Sequence, residues 1–147
     1  MKIHQLSIFV ENRPGHLITP CVLLAEASID IVALSLADTQ NYGVLRLIVR
    51  DWQQAKKVLE AGGVRATVTE VLAVQVEDHP GGLVKVLKPI SEAKLNVEYM
   101  YAFSTKTGDQ AVLIFRFQNP DAAIQALQGS TLSFLDTVDL FSRLDRV

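Results

Sequence analysis

Near the start of the chain, the apolar residues Leu6, Ile8 and Val10 alternate with Gln5, Ser7 and Phe9, which predicts a β-strand covered on one face. The same alternation returns in the second half of the sequence. The apolar positions of the two strands are Leu6, Ile8 and Val10 and then Leu72, Val74 and Val76. A Pro-Gly pair follows each strand and predicts a break that opens a helix, whose apolar residues in the first case are Leu17, Cys21, Leu24 and Ala27.

An internal repeat sets the organisation of the chain. Four short segments recur in the same order, so we predict two similar modules, residues 1–70 and 71–147. The matched pairs are 11–17 (ENRPGHL) with 77–83 (EDHPGGL), 27–31 (ASIDI) with 93–97 (AKLNV), 43–45 (GVL) with 111–113 (AVL), and 51–52 with 119–120.

Each module shows the order βαββαβ. The second strands are expected at 29–36 and 95–103, and the last strand of the chain at 136–141. Asp51 and Asn119 are good N-caps for the second helices, because a side-chain oxygen there accepts a hydrogen bond from a free backbone N–H. The predicted fold class is α+β: two ferredoxin-like βαββαβ modules in tandem, each an antiparallel sheet with its helices on one face.

The sheet face away from the helices is only half polar in the first module. It carries Gln5, Ser7, Phe9, Val44 and Ile48. A partly apolar sheet face without helices predicts a partner, and we expect a homodimer.

Composition narrows the function. The 147 residues are 49% hydrophobic, enough for a core, while a net charge of −2 argues against a nucleic-acid surface. The chain has one cysteine and three histidines without metal-ligand spacing, so we expect no metal and no cofactor. Neither a signal peptide nor a membrane span is visible, which favours a cytoplasmic protein that does not contact membranes.

The loop after the first strand of each module carries the candidate chemistry. A Gly after Pro at a helix start frees N–H groups that can hold a carboxylate, helped by the helix dipole. The ammonium group of an amino acid needs acceptors, which Asn12 with Asp30, and Asp78 with Asn96, can supply. Pro-Gly is also common at ordinary helix starts, and these polar residues could be simple caps or turn residues. Recurrence of the whole set in both halves favours ligand binding.

At these residues the chain resembles the ACT domain family of amino-acid-binding regulatory modules. Residues 10–15 (VENRPG) look like the family's D/N-x-P-G signature and are similar to the serine-binding version attached to phosphoglycerate dehydrogenases. Val10 and Val76 stand where that version has His, and Asp30 and Asp78 replace amides.

The resemblance implies a tandem ACT protein without a catalytic domain, which binds a small amino acid as a regulatory sensor. It implies that the loop of one module meets the second strand of a neighbour, with 12–17 facing 96–99 and 78–83 facing 30–33. The expected ligand-binding residues are Asn12, Arg13, Pro14, Gly15, His16, Leu17, Asp30, Ile31, Asp78, His79, Pro80, Gly81, Gly82, Leu83, Asn96 and Val97.

Three other functions remain as alternatives. An RNA-recognition module shares the βαββαβ order, but no aromatic residue lies on the exposed face of either third strand. A small ferredoxin-like enzyme would need a nucleophile with a base or paired carboxylates, and neither pattern is present. A structural or interaction scaffold of the same fold without a ligand is the third.

Overall fold

Two successive runs of strand, helix, strand, strand, helix and strand make up most of the chain, as the repeat predicts. The structure is a computed structural model that describes residues 1–38, 40–104 and 109–145. Its elements are β1 (Lys2–Glu11), α1 (Ile18–Glu26), β2 (Ala33–Asp38), β3 (Tyr42–Ile48), α2 (Trp52–Ala61), β4 (Ala66–Glu77), α3 (Gly82–Glu92), β5 (Val97–Ser104), β6 (Gln110–Phe117), α4 (Pro120–Ala126), β7 (Ser133–Leu135) and α5 (Thr137–Asp145).

The chain divides into two compact units, and the predicted module bounds 1–70 and 71–147 stay a prediction. The first unit is His4–Thr69, and the second unit is Met1–Ile3 with Glu70–Val147. Within the second unit, Lys2 forms ion pairs with Glu70, at 2.8 Å, and with Asp121, at 3.2 Å. The boundary falls inside β4, which is one continuous strand of 12 residues.

In the first unit the strand order is β2-β3-β1, and residues 66–69 at the start of β4 also belong to this unit. Strand β3 pairs antiparallel with both β1 and β2, and Leu6 lies opposite Leu47. Both helices bury their apolar positions, Leu24 of α1 and Leu59 of α2, against one face of this sheet. The remaining core residues are Ile8, Val10, Leu45, Val49, Ala55 and Ala66.

The second unit repeats this arrangement. Gln75 of β4 pairs with Val112 of β6 and with Ser133 of β7, so β4 lies between them, and β5 pairs with the far side of β6. Helices α3 and α4 bury Val86, Ile90, Ala123 and Leu127 against one face of the sheet. The predicted fold class is therefore confirmed: two antiparallel α+β modules with the repeated helices on one face.

The predicted N-caps are confirmed as well. The Asp51 side chain accepts a hydrogen bond from the backbone N–H of Gln54, at 3.0 Å, and Asn119 accepts one from Ala122, also at 3.0 Å. Pro120 occupies the first turn of α4, where no backbone N–H is needed.

The strand predicted at 136–141 is wrong, because this segment begins helix α5. Strand β7 ends at Leu135, and the Asp136 carboxylate then accepts from the N–H of Asp139, at 2.8 Å. The backbone N–H of Leu140 donates to the Asp136 carbonyl, at 2.9 Å, which closes the first helical turn. Leu140 is fully buried, so α5 packs as a helix with its own core residue.

The second strands begin later than predicted, at Ala33 and Val97. Asp30, Ile31 and Asn96 therefore lie in the connections before the strands.

The sheet face expected to meet a partner also needs correction. Gln5 and Ile48 are fully buried within the single chain, whereas Phe9 is 67% exposed.

Among the described residues, no helix combines the length and the hydrophobicity that crossing a membrane requires.

Candidate functional site

The loop of the first unit follows directly from β1. Glu11 ends the strand, and the Asn12 backbone N–H donates to the Asn41 carbonyl, at 3.3 Å. The Arg13 N–H donates to the Glu11 carbonyl, at 2.9 Å, and the Arg13 guanidinium forms an ion pair with the Glu11 carboxylate, at 3.2 Å. Gly15 has φ of +87°, a left-handed conformation that suits glycine. The loop is thus held by its own main chain.

Helix α1 does not open directly after Gly15, as the sequence suggested, but at Ile18. Residues 14–17 form turns, with Pro14, Gly15 and Leu17 exposed and His16 half-buried. The N-cap, Leu17, supplies no side-chain cap. In this unit, therefore, no helix begins immediately after Pro-Gly, where the sequence predicted the carboxylate site.

In the second unit the helix begins immediately after the Pro-Gly pair. Gly81 is the N-cap, with φ of +88°, and Gly82 is the first helical residue. A Cβ on Gly82 would lie 2.0 Å from the main-chain oxygen of Glu77. Only glycine permits that approach. The repeat places His16 at the position of Gly82, so the first unit takes a longer turn before its helix.

A small ion-pair network holds the loop of the second unit. The Glu77 carboxylate contacts His79 Nε2 at 2.6 Å and Lys85 Nζ at 3.0 Å. Lys85 first, and His79 second, lower the pKa of Glu77 below its ordinary value. The pKa of His79 is raised, first by its hydrogen bond to the Pro80 carbonyl at 3.0 Å and then by Glu77. Asp78, Pro80 and Leu83 are exposed beside this network.

Within each unit, the loop and the start of the second strand lie at opposite ends of the sheet. In the first unit Val10 and Asp38 both pair with Gly43, whereas Ala33, which follows Asp30, pairs with Ile48. In the second unit Glu77 pairs with Gln110, at the other end of β6 from Phe117, which pairs with Val97. The predicted pairings of Asn12 with Asp30, and of Asp78 with Asn96, therefore cannot form inside one unit.

Ile31 and Val97 have a structural role that the sequence did not suggest. Both are half-buried and pack against the hydrophobic cores of their units. Asp30 and Asn96, by contrast, are exposed.

The structure adds residues of β1, β2 and β3 to the loop site of the first unit, among them Asp38 at the end of β2. A cavity of about 90 Å³ is lined by Asn12, Arg13 and Leu17 from the loop, and by Leu36, Asp38 and Gly43 among others. Among the described residues the Asp38 carboxylate has no ion-pair partner. The polar turn beginning at Asp38 was visible in the sequence, but only the strand register brings it beside Asn12.

A second hollow, of about 400 Å³, lies on the outer side of the same loop. Arg13, Pro14, Gly15, Leu17, Ile18 and Cys21 line it. Cys21 is a free thiol of intermediate exposure, and it is the single cysteine of the chain. In the part of the chain that the structure describes, no group of three or more His, Cys, Asp or Glu residues could hold a metal ion.

Comparison with known proteins decides the family. The family model described as an ACT domain pair matches residues 1–144. The chain belongs to the ACT domain family.

This ACT domain pair is also similar to solved structures. Protein BT0572 from Bacteroides thetaiotaomicron is 34% identical, with 96% of each chain covered and a TM-score of 0.87. The regulatory subunit of aspartate kinase from Thermus thermophilus, in its ligand-free form, is 15% identical with a TM-score of 0.59, covering 87% of this chain and 91% of that one. The Thermus flavus subunit is 18% identical with a TM-score of 0.58, covering 88% and 94%. No curated protein matches the chain.

The two aspartate kinase subunits share the fold with this ACT domain pair. The ACT family itself is regulatory rather than catalytic, and the predicted resemblance to it is confirmed.

Proposed function

We propose that this ACT domain pair binds a small free amino acid and acts as a regulatory sensor without catalysis. The supporting observation is the 90 Å³ cavity of the first unit, where the Arg13–Glu11 ion pair and the Asp38 carboxylate line one small space. A zwitterion needs groups of both charges, and the Asn12 amide in the same lining offers a donor and an acceptor. The cavity is well below the range of about 300–1,000 Å³ for drug-sized ligands, which favours the smallest amino acids.

Asp30 and Asn96 are exposed and lie at the opposite end of the sheet from the loop of their own unit. They remain among the proposed ligand-binding residues, together with Asp78, His79 and the 80–83 turn.

Thermal unfolding in the presence of each of the twenty amino acids tests the proposal. A ligand that binds only the folded chain raises the melting temperature according to RT ln(1 + [L]/Kd), so a ligand at about ten times its Kd gives a clear shift. We expect one or a few small amino acids to produce it, and Asp38→Asn to remove most of the shift. Asp51→Asn is the matched control, because it changes an exposed carboxylate of the same unit away from the cavity. No shift with any amino acid would favour a scaffold instead.

We also propose that two copies of the chain associate. The first unit exposes several large apolar side chains, and exposed apolar surface marks interaction sites when it is contiguous. The rings of Phe9 and Tyr42 lie 5.8 Å apart on one face of the sheet. The other exposed large apolar residues described in this unit are Leu17 before α1, Ile18 and Val22 of α1, and Leu34 and Leu36 of the edge strand β2.

A further inference from the structure

A groove of about 620 Å³ lies in the first unit, separate from the loop cavity. It runs between the start of α1 and the segment that leads into β4. His16 and Thr19 line one side, Val64, Arg65 and Thr67 line the other, and Phe9 contributes from β1. Its volume falls in the range of about 300–1,000 Å³ that is usual for small-molecule sites.

The residues that line this groove include a positive charge and no negative charge. Arg65 is exposed, and within the described residues its guanidinium forms no ion pair. The lining includes the hydroxyls of Thr19 and Thr67 and the ring of His16, but no Asp or Glu. An unpaired guanidinium beside neutral donors suits a carboxylate. An α-ammonium group would meet a like charge and no carboxylate.

The second unit provides an internal comparison. A groove at the corresponding position is smaller, about 330 Å³, and is lined by Gln75, Glu77, Lys85 and Ser133 among others. Ser133 stands where the first unit has Arg65. Lys85 is paired with Glu77 at 3.0 Å, and Gln75 donates to Gln110, so the charged and amide groups there satisfy one another.

We propose that the groove of the first unit binds a small carboxylic acid without an amino group, of the 2-oxo acid class. Arg65 holds the carboxylate. The Thr19 or Thr67 hydroxyl donates to the 2-oxo oxygen, and Val64 contacts the apolar chain. This site is distinct from the proposed amino-acid cavity, and the corresponding groove of the second unit has Ser133 in place of Arg65.

Amide NMR titration with three four-carbon probes tests this proposal. The probes are 2-oxobutanoate, 2-aminobutanoate and butanamide. We expect 2-oxobutanoate to shift the amide signals of residues 16–20 and 63–67, and butanamide to leave them unchanged. Arg65→Gln should weaken 2-oxobutanoate binding roughly tenfold or more, the size of a lost charge-assisted hydrogen bond. Lys57→Gln removes the same charge from an exposed site on α2 and should have no effect.

Equal shifts from 2-aminobutanoate at these amides, or equal affinity in Arg65→Gln, would overturn the proposal, as would no response to 2-oxobutanoate. The result is distinguishable from that of the amino-acid site, because binding there would shift the amides of Asn12 and Asp38 instead.

Discussion

Single residues decide how the two halves of the repeat differ. The turn of the second unit depends on Gly82, whose missing side chain lets the helix start lie against the Glu77 carbonyl. The first unit has His16 at this place and forms a longer, more open loop. The difference between His16 and Gly82 thus gives different conformations to two loops that are otherwise close in sequence.

The Gly82→Ala variant should lose stability, because its methyl carbon would overlap the Glu77 oxygen and force the backbone to move. We expect a loss of about 1–3 kcal/mol, the usual cost of overpacking. Urea unfolding measures it. His16→Ala at the matched position is the control and should change the midpoint little. An unaltered midpoint in Gly82→Ala would mean that the helix start is not in close contact with β4.

The ion pairs of Glu77 make the loop of the second unit sensitive to pH. The lowered pKa of Glu77 means that its contribution to stability is present above the unfolded pKa and is lost as pH falls through the folded value. The raised pKa of His79 means that its contribution is present below the unfolded pKa and is lost as pH rises through the folded value. The ion pair between Glu77 and His79 is therefore fully formed only at pH values between the folded-state pKa of Glu77 and the folded-state pKa of His79.

NMR titration of the His79 ring should give a pKa above its ordinary 6.5, and Glu77→Gln should bring that pKa down. Because both groups are exposed, added salt should reduce the difference. Identical titration curves for the two proteins would show that Glu77 does not contact His79 in solution.

At the scale of elements, helix α5 is the feature that lies outside the repeat. Leu140 is fully buried and Val138 is 76% exposed on the same helix. Leu140→Ala should cost about 2–5 kcal/mol of unfolding free energy, whereas Val138→Ala should cost little. Chemical denaturation of both variants checks the prediction. Similar losses in the two would indicate that α5 does not pack in this orientation.

The sequence predicted the elements well where the pattern was local. Alternating apolar residues located β1, and the side chains of Asp51 and Asn119 marked the starts of α2 and α4. It failed at 136–141, because a short apolar segment after an Asp fits a strand as well as a capped helix. The cavity residue Asp38 was missed for another reason: its approach to Asn12 depends on strand pairing, which is a tertiary property.

At the scale of the whole molecule, seven of the twelve exposed large apolar side chains of the described residues belong to the first unit. The proposed self-association predicts a concentration-dependent increase in mass by sedimentation velocity. Leu34→Glu on the exposed edge strand should shift the equilibrium toward monomer, and Val138→Glu on the second unit should not. A monomer at every concentration would contradict the proposal.

The position of Cys21 has a practical consequence. Since the chain has one thiol, and that thiol lies against the Pro14–Gly15 turn, a maleimide dye would attach at one defined place without any engineering. Its fluorescence would follow the loop directly as candidate molecules are added. The natural sequence thus provides its own labelling site for a screen.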